Sequence, residues 1–501
     1  MSDTTPRVDP TLSALPPALK KRIIKALEEI DADSHGECGS CCGSDDGEGE
    51  PHDHAHDHSH KHKGALGDFK EVEKELDELA APVEAMFKNV GNLALVNKEF
   101  WKLCSPFIWQ SPDIVERSTE SLLYFYHNIL PRHAEHIESL FLMQTVERLV
   151  EEEDSKFKVV SGSTEEEREA AVLEAVESIA KVSASNNLEV RKARSRSLVV
   201  GEIIKSCPNL YKLDFDCFVL EPDQEPHRDL KDYVLDAAKA HAKSHGSITY
   251  LGYSLTPDAT TRYEDVASLL SSYSSTLKAL RIECFSAKGN KQTLLDSLLS
   301  LRQLEKLDLG ESDFVDDSFA NLNLTFPLTH LTLGEYDNLS YPSFTKLVEK
   351  FSQTLTNLEL DGSPYAGSEE DELEKASKEL QNPVKLPNLS LLEIATNHKV
   401  EVLDKLTYSS SKLKELRIGF CPNFDVDETI HFLEKRRDTL KAFEVDLATY
   451  SHEELSKLDA VSEELGIEMH VISGGLDEFG LGDEFDEDEE WEDDEEEEEE
   501  E

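Results

Sequence analysis

Residues 304–310, LEKLDLG, contain three leucines in the pattern L-x-x-L-x-L, and residues 328–334, LTHLTLG, repeat the pattern 24 positions later. From residue 248 onward the steps between successive first positions are 29, 27, 24, 27, 34, 24 and 27 residues. One such motif occurs by chance in many leucine-rich helices, but a near-constant period predicts a repeat architecture. The first positions are Ile137, Leu210, Ile248, Leu277, Leu304, Leu328, Leu355, Leu389, Leu413 and Leu440.

The segments between these motifs have helical periodicity, as in YEDVASLLSSYSS at 263–275 and DETIHFLEKRRDT at 427–439. Short strands alternating with helices at this period resemble the leucine-rich-repeat proteins, over residues 130 to 472. The resemblance implies an α/β solenoid with parallel strands on its concave face and helices on its convex face. The Asn or Cys that regular repeats place three residues after the last strand leucine is mostly missing here, so the array is a divergent one.

Two insertions interrupt the predicted repeats, at 151–198 and 362–385. The first contains a helical stretch and a basic cluster, which we interpret as a solvated loop of scattered charge, with a nuclear import signal as the alternative. The second has the composition of a surface excursion. The basic cluster consists of Arg191, Lys192, Arg194 and Arg196.

An apolar helix is predicted near the N-terminus, in LPPALKKRIIKAL at 15–27, and an apolar segment follows at 90–114. Together they resemble the F-box, the helical module that docks on the Skp adaptor of cullin-type ubiquitin ligases, in its fungal form that leads into leucine-rich repeats. The alternative is that residues 71–109 are a helical cap on the solenoid. The adaptor-binding residues implied by the resemblance are Leu15, Pro16, Leu19, Ile23, Ile24, Leu93, Val96, Phe100 and Trp101.

The sequence therefore predicts five parts. The first 14 residues are expected to be disordered, and the F-box-like module occupies 15–30 and 68–114. The Cys/His-rich insertion at 31–67 separates its two halves, and its polar, Gly-rich composition predicts disorder. The repeat domain with its two insertions spans 115–472, and the acidic tail spans 473–501.

Alternating histidines mark the insertion at 31–67 and are preceded by three cysteines. Imidazole and thiolate are ligands for zinc, nickel and copper, but no fixed ligand spacing is present. We predict adventitious metal affinity and no firm site, the alternatives being a metal sensor and a pH response near the pKa of histidine. The candidate ligands are His52, His54, His56, His58, His60 and His62.

Net charge and targeting segments restrict the possible partners and the location of the protein. The chain of 501 residues has a formal net charge of −54, and residues 477–501 hold 19 acidic residues and no Lys or Arg. The rest therefore carries −35, which argues against binding to nucleic acid, where clustered Lys and Arg are needed. No signal peptide or membrane span is predicted, so we expect a cytoplasmic or nuclear protein.

No catalytic motif and no cofactor-binding motif is found, so we predict that the chain is not an enzyme and needs no cofactor. The cysteines at 104, 207, 217, 284 and 421 lie in apolar surroundings and are predicted to be core or strand-edge residues. The function of such a repeat protein is expected on the surface that its strands display.

Side chains alternate along a strand, so the polar positions between the strand leucines should face the concave groove. Acidic residues outnumber basic ones there, which predicts a groove that attracts a basic protein segment. The predicted groove residues are Asp214, Asp216, Arg281, Glu283, Asp308, Glu359, Asp361, Glu393, Arg417, Glu444 and Asp446.

Three functions fit these features. The first is a substrate-recognition adaptor, whose partners are a Skp-type adaptor with its cullin ligase core and a protein substrate with a basic segment. The second is an acidic leucine-rich-repeat protein that binds histones or other basic proteins, as a chaperone does. The third, which the missing Asn positions disfavour, is a regulator similar to the Ran GTPase-activating protein.

Overall fold

The computed structural model describes residues 98–472, except for 115–116, 144–148, 151–159, 163, 217–229, 255–261, 284–286, 311, 335, 337, 362–382, 396–399 and 422–423. The predicted helix at 15–30, the Cys/His-rich segment at 31–67 and the acidic tail at 473–501 lie outside these residues. So does most of the predicted excursion at 362–385.

Within the described residues, eleven parallel strands form one sheet in which every strand pairs with its neighbour in chain order. Ten of them coincide with the ten predicted motifs, and an eleventh follows. The strands are β1 (Ser139–Met143), β2 (Lys212–Asp216), β3 (Tyr250–Ser254), β4 (Ala279–Glu283), β5 (Lys306–Leu309), β6 (His330–Gly334), β7 (Asn357–Asp361), β8 (Leu391–Ala395), β9 (Glu415–Ile418), β10 (Ala442–Asp446) and β11 (Glu468–Ile472).

Helices α1, α2 and α3 precede the sheet. Among the described residues, helices connect all successive strands except β7 and β8. The fold is an α/β solenoid of the leucine-rich-repeat type. The described α-helices are α1 (Lys98–Ile108), α2 (Thr119–Tyr124), α3 (Leu130–His133), α4 (Glu165–Ala180), α5 (Leu188–Ser206), α6 (Leu230–Ser244), α7 (Tyr263–Ser272), α8 (Lys291–Leu299), α9 (Asp317–Ala320), α10 (Tyr341–Glu349), α11 (Val400–Thr407), α12 (Val426–Arg436) and α13 (His452–Leu465). None of these helices combines the length and the apolar character needed to cross a bilayer.

The strand leucines form continuous buried rows because the parallel register places equivalent repeat positions side by side. Leu280, Leu307 and Leu331 are neighbours in this register, and each is at most 2% exposed. The residues between them on each strand are half-exposed on the other face of the sheet, which we call the open face. It corresponds to the predicted concave face. No single repeat covers its own apolar edge, so burial depends on stacking.

Polar side chains define where the convex helices begin. The side chain of Asp316 accepts hydrogen bonds from the backbone amides of Ser318 and Phe319 at the start of α9. Ser451 and Glu454 form a capping box at the start of α13. Such caps satisfy amides that have no partner inside the helix, and each contributes about 1 kcal/mol.

Two residues occupy the position three residues after the last strand leucine or isoleucine and bond to the preceding repeat: Ser312, where regular repeats have Asn or Cys, and Cys421, which matches that pattern. The hydroxyl of Ser312 donates to the carbonyl of Ile282 over 3.4 Å, and the thiol of Cys421 approaches the carbonyl of Ile394 at 3.6 Å. Each bond joins a turn to the preceding repeat. Both side chains are buried. Each carbonyl also accepts a backbone hydrogen bond, from Gly310 or Gly419, so the side-chain contact uses its second lone pair.

The insertion at 151–198 differs from the prediction of a solvated loop around its basic cluster. Helix α4 packs beside α5, which contains all four basic residues. Buried Glu177 binds Arg194 at 2.6 Å and Arg191 at 2.9 Å. The interpretation as a solvated loop is therefore wrong, because the cluster forms ion pairs between two packed helices.

The same cluster attaches the insertion to the N-terminal helices. Arg196 donates to the backbone carbonyls of Ile114, over 2.9 Å, and of Arg117. In addition, Arg168 of α4 pairs with Glu120 of α2 at 2.5 Å, and Glu120 is fully buried. Polar contacts therefore connect α4 and α5 to α2 and to the segment that precedes it.

Candidate protein-binding surface

The strand register places one side chain from each strand in a continuous line along the open face, which we call the central row. Charged residues dominate it from β2 to β10. It contains most of the predicted groove residues, all of which are charged. The row runs Phe141, Asp214, Gly252, Arg281, Asp308, Thr332, Glu359, Glu393, Arg417, Glu444 and His470.

Near the N-terminal end of the row, an ion pair crosses a glycine. Nη2 of Arg281 on β4 lies 3.1 Å from Oδ1 of Asp214 on β2. Gly252 on β3 separates them, and a Cβ there would stand 2.0 Å from the same oxygen. The hydroxyl of Tyr250 also donates to Asp214, over 3.4 Å. Asp214 is therefore buried, with only 2% of its surface exposed, although it belongs to the open face.

Asp308, the next residue of the row, has a different electrostatic environment. Burial, helped by the negative charges of Glu283 and Glu359, raises its pKa to about 7, although Arg281 opposes this shift. No described residue forms a hydrogen bond or an ion pair with its side chain. The carboxyl group is therefore half-protonated near neutral pH, where an exposed aspartic acid is fully ionised.

Toward the C-terminal end of the row, one arginine is surrounded by carboxylates. Arg417 lies 2.7 Å from Glu415 and 3.5 Å from both Glu393 and Glu444. Burial and the negative charge of Glu359 raise the pKa of Glu393, and its contact with Arg417 opposes that rise. Three carboxylates share one guanidinium, so this group of side chains keeps an excess of negative charge.

The remaining predicted groove residues differ in exposure and in hydrogen bonding. Glu359 accepts a hydrogen bond from Thr332 over 2.8 Å, and Asp361 is exposed on the same strand. Asp446 is buried, and its carboxylate accepts a hydrogen bond from the amide of Ala448 over 2.7 Å. The prediction that Asp446 faces a partner is therefore wrong, because its side chain caps the turn after β10. The side chain of Asp216 lies outside the described residues.

Of the predicted adaptor-binding residues, only Phe100 and Trp101 are described. Phe100 on α1 is fully buried, whereas Trp101 is half-buried and packs against the core. Phe100 is thus a packing residue and its assignment to the adaptor contact is wrong. The other predicted adaptor residues, from Leu15 to Val96, and the histidines from His52 to His62 lie outside the described residues.

Some residues of the open face were missed by the sequence prediction. Tyr250, His330 and Thr332 lie on strands whose motifs were identified, but their polar positions were not assigned to the groove. The alternation that placed Arg281 and Asp308 would have identified them too. His470 was missed because β11 does not match the motif: by register, Gly466 stands where the first leucine would be.

The cysteines of the described residues do not have the properties of nucleophiles. Cys104, Cys207 and Cys421 are buried, as predicted, whereas Cys217 and Cys284 lie outside the described residues. Burial raises the pKa of the Cys104 and Cys207 thiols to about 12, and that of Cys421 upward as well. A thiol needs to ionise to act as a nucleophile, so these three side chains are inert packing groups.

Comparison with known proteins finds similarity to solved structures and no match in sequence. No protein-family model matches the chain, and no curated protein matches it in sequence. Among solved structures, the complex of Rad7 and Elc1 from yeast contains a chain that is 13% identical, with a TM-score of 0.39. The alignment covers 90% of this chain and 95% of that one.

Proposed function

We propose that this chain is a non-catalytic substrate receptor whose open face binds a basic segment of another protein. The excess of carboxylates in the central row carries this proposal. Asp308, Glu359 and Glu393 lie on β5, β7 and β8, with only the neutral Thr332 between the first two. A row of negative charge on a rigid sheet steers cationic segments toward it and weakens in salt.

We further propose that the F-box-like module brings this receptor to a Skp-type adaptor and its cullin ligase core. Support comes from the residues that resemble the F-box, among them Leu15, Pro16, Val96 and Trp101, and from the repeats that follow them. In this role the chain catalyses nothing and acts by raising the local concentration of the ubiquitin-charged enzyme near a substrate.

A second candidate function is the binding of histones or other basic proteins without any ligase. The same carboxylates favour it, together with the 19 acidic residues between 477 and 501. The two functions share the open face and differ in whether an adaptor is recruited. An experiment that measures both partners with one set of variants separates them.

The experiment is affinity capture of the full chain from cell extract, followed by quantification of the Skp adaptor, cullin and basic proteins. Changing Leu15 and Pro16 together to Ala should release the adaptor and leave basic partners bound. Changing Asp308, Glu359 and Asp361 to Lys should release basic partners and leave the adaptor bound. The control reverses Glu453, Glu463 and Glu464, exposed on α13, to Lys.

If the unchanged protein captures histones but no adaptor, the result favours the second function. Equal recovery of basic proteins by the open-face variant and the α13 variant would contradict binding at the open face. Circular dichroism of each variant verifies that the repeats remain folded.

A further inference from the structure

We infer that Asp214 is a positioning residue of the open face, because it holds Arg281 away from Asp308. A basic side chain of the partner then supplies the cation that Asp308 lacks, and Asp308 releases a proton. This inference rests on the proposed function, since it concerns the same surface. It adds a specificity-determining residue and a coupling between binding and pH.

The geometry around Arg281 carries the inference. Arg281 and Asp308 are direct neighbours in the register of β4 and β5, the arrangement in which opposite charges normally pair. The guanidinium instead contacts Asp214 through Nη2 at 3.1 Å, and its Nε lies 3.6 Å from Glu283. The absence of a side chain at Gly252 opens the space through which the Asp214 carboxylate reaches Arg281.

Glu283 and Glu359 add negative charge around Asp308, and the charge of Arg281, which forms no ion pair with Asp308, only partly opposes them. The side chain of Glu283 lies across Gly310, where a Cβ would stand 2.7 Å from Cγ of Glu283. The charged and titratable groups of the open face around Asp308 are Tyr250 on β3, Arg281 and Glu283 on β4, Lys306 on β5, His330 on β6 and Glu359 on β7. Lys306 is exposed and forms no ion pair among the described residues.

The proton balance follows from these contacts. With a pKa of about 7, Asp308 is largely a neutral acid at pH 6 and largely a carboxylate at pH 8. An incoming ammonium or guanidinium group favours the carboxylate, so binding transfers the Asp308 proton to the buffer. Affinity should therefore rise with pH, by at most about tenfold per pH unit while Asp308 is protonated in the free protein.

The test uses the full chain and a synthetic twelve-residue peptide of alternating lysine and alanine. Isothermal titration calorimetry at pH 6, 7 and 8, in buffers of different ionisation enthalpy, gives the number of protons released. The variants are D308N, D214N and the charge-matched control D361N, which removes one exposed carboxylate from the same face. The His-rich segment and the acidic tail are present in all proteins, so their contributions cancel in the differences.

We expect the unchanged protein and D361N to release the same number of protons at pH 7, and D308N to release about half a proton less. In D214N, Arg281 loses the carboxylate of Asp214, and we expect its guanidinium to shift toward Asp308. The extra release should then disappear, and the affinity at pH 8 should fall several-fold. Equal proton release by D308N and the unchanged protein would overturn the inference. Equal proton release by D214N and the unchanged protein would also overturn it.

Failure of the proposed function has a different signature. Reversal of Asp308, Glu359 and Asp361 to Lys would then leave the peptide affinity of the full chain unchanged. If that reversal weakens binding while D308N leaves proton release unchanged, the open face binds the peptide and only the coupling through Asp308 is wrong. Thermal unfolding of each variant verifies that the compared proteins are folded.

Discussion

Asp214 and Arg281 lie two strands apart in the sheet, and their side chains meet across Gly252 with 3.1 Å between Oδ1 and Nη2. Neighbouring strands of a sheet are about 4.8 Å apart, so residues separated by a third strand are about 10 Å apart at their backbones. Only a residue without a side chain between them permits this contact. The pair therefore couples β2, β3 and β4 and determines which carboxylates of the open face remain available.

Gly252→Ala should break the ion pair between Asp214 and Arg281. The new methyl group would occupy the position of the Asp214 carboxylate, which is buried and has little room to move. We expect a loss of about 1–3 kcal/mol in the free energy of unfolding, because a buried carboxylate loses its charged partner. Urea denaturation measures the loss.

A double-mutant cycle provides the control for this prediction. In an Asp214→Asn background, Gly252→Ala should cost less, because the charged pair is already absent. Equal costs in the two backgrounds would contradict the proposed role of Gly252 as the gap between the two charges.

Asp308→Asn should stabilise the protein more at high pH than at low pH. The pKa of Asp308 is about 7 in the folded state against 3.8 for an exposed group. Between these values the folded state binds more protons than the unfolded state, so the free energy of unfolding falls as pH rises. The variant lacks this penalty, and its advantage should grow from pH 4 to pH 7 and stay constant above pH 8, reaching on the order of 1–3 kcal/mol.

Denaturant unfolding at a series of pH values measures this advantage as a difference between variant and unchanged protein. The comparison cancels the titration of the other groups, including the histidines of 31–67. Asp361→Asn, at an exposed position, should show no such growth with pH. An advantage of Asp308→Asn that is independent of pH would contradict the raised pKa.

Phe100→Ala and Trp101→Ala should have separable effects. Phe100 is fully buried, so its truncation should cost about 3–5 kcal/mol of stability. Trp101 is half-buried, so its truncation should cost less stability and, if the F-box-like module binds the adaptor, should weaken that binding. Thermal unfolding and adaptor capture measure the two effects. Full adaptor binding by a folded Trp101→Ala protein would remove Trp101 from the contact.

Deletion of residues 31–67, with the flanks joined by a short linker, should leave adaptor affinity within a few-fold of the unchanged protein. These residues are polar, rich in Gly, His and Asp, and have no apolar periodicity that could pack on another element. Titration with a purified Skp adaptor measures the affinity. Loss of binding would show that the segment is structural. Loss of zinc uptake with unchanged adaptor affinity would assign the metal affinity to this segment.

The sequence by itself determined the repeat architecture and the position of ten strands. The leucine period reports burial directly, because each strand exposes alternate side chains to the core and each repeat needs its neighbour. The same alternation identified Arg281, Asp308, Glu359 and Arg417 on one face. It did not identify β11, where Gly466 interrupts the motif.

Tertiary structure alone decided which charges on that face are available. Asp214, Asp308 and Asp446 have the same periodicity in the sequence, but one is buried under an arginine, one is half-protonated and one caps a turn. The basic cluster around Arg194 likewise reads as surface charge until Glu177 on a neighbouring helix is placed against it. The repeat period shows which face of the sheet a residue occupies. Its charge state depends on neighbours that are distant in sequence, and only tertiary packing brings these neighbours next to it.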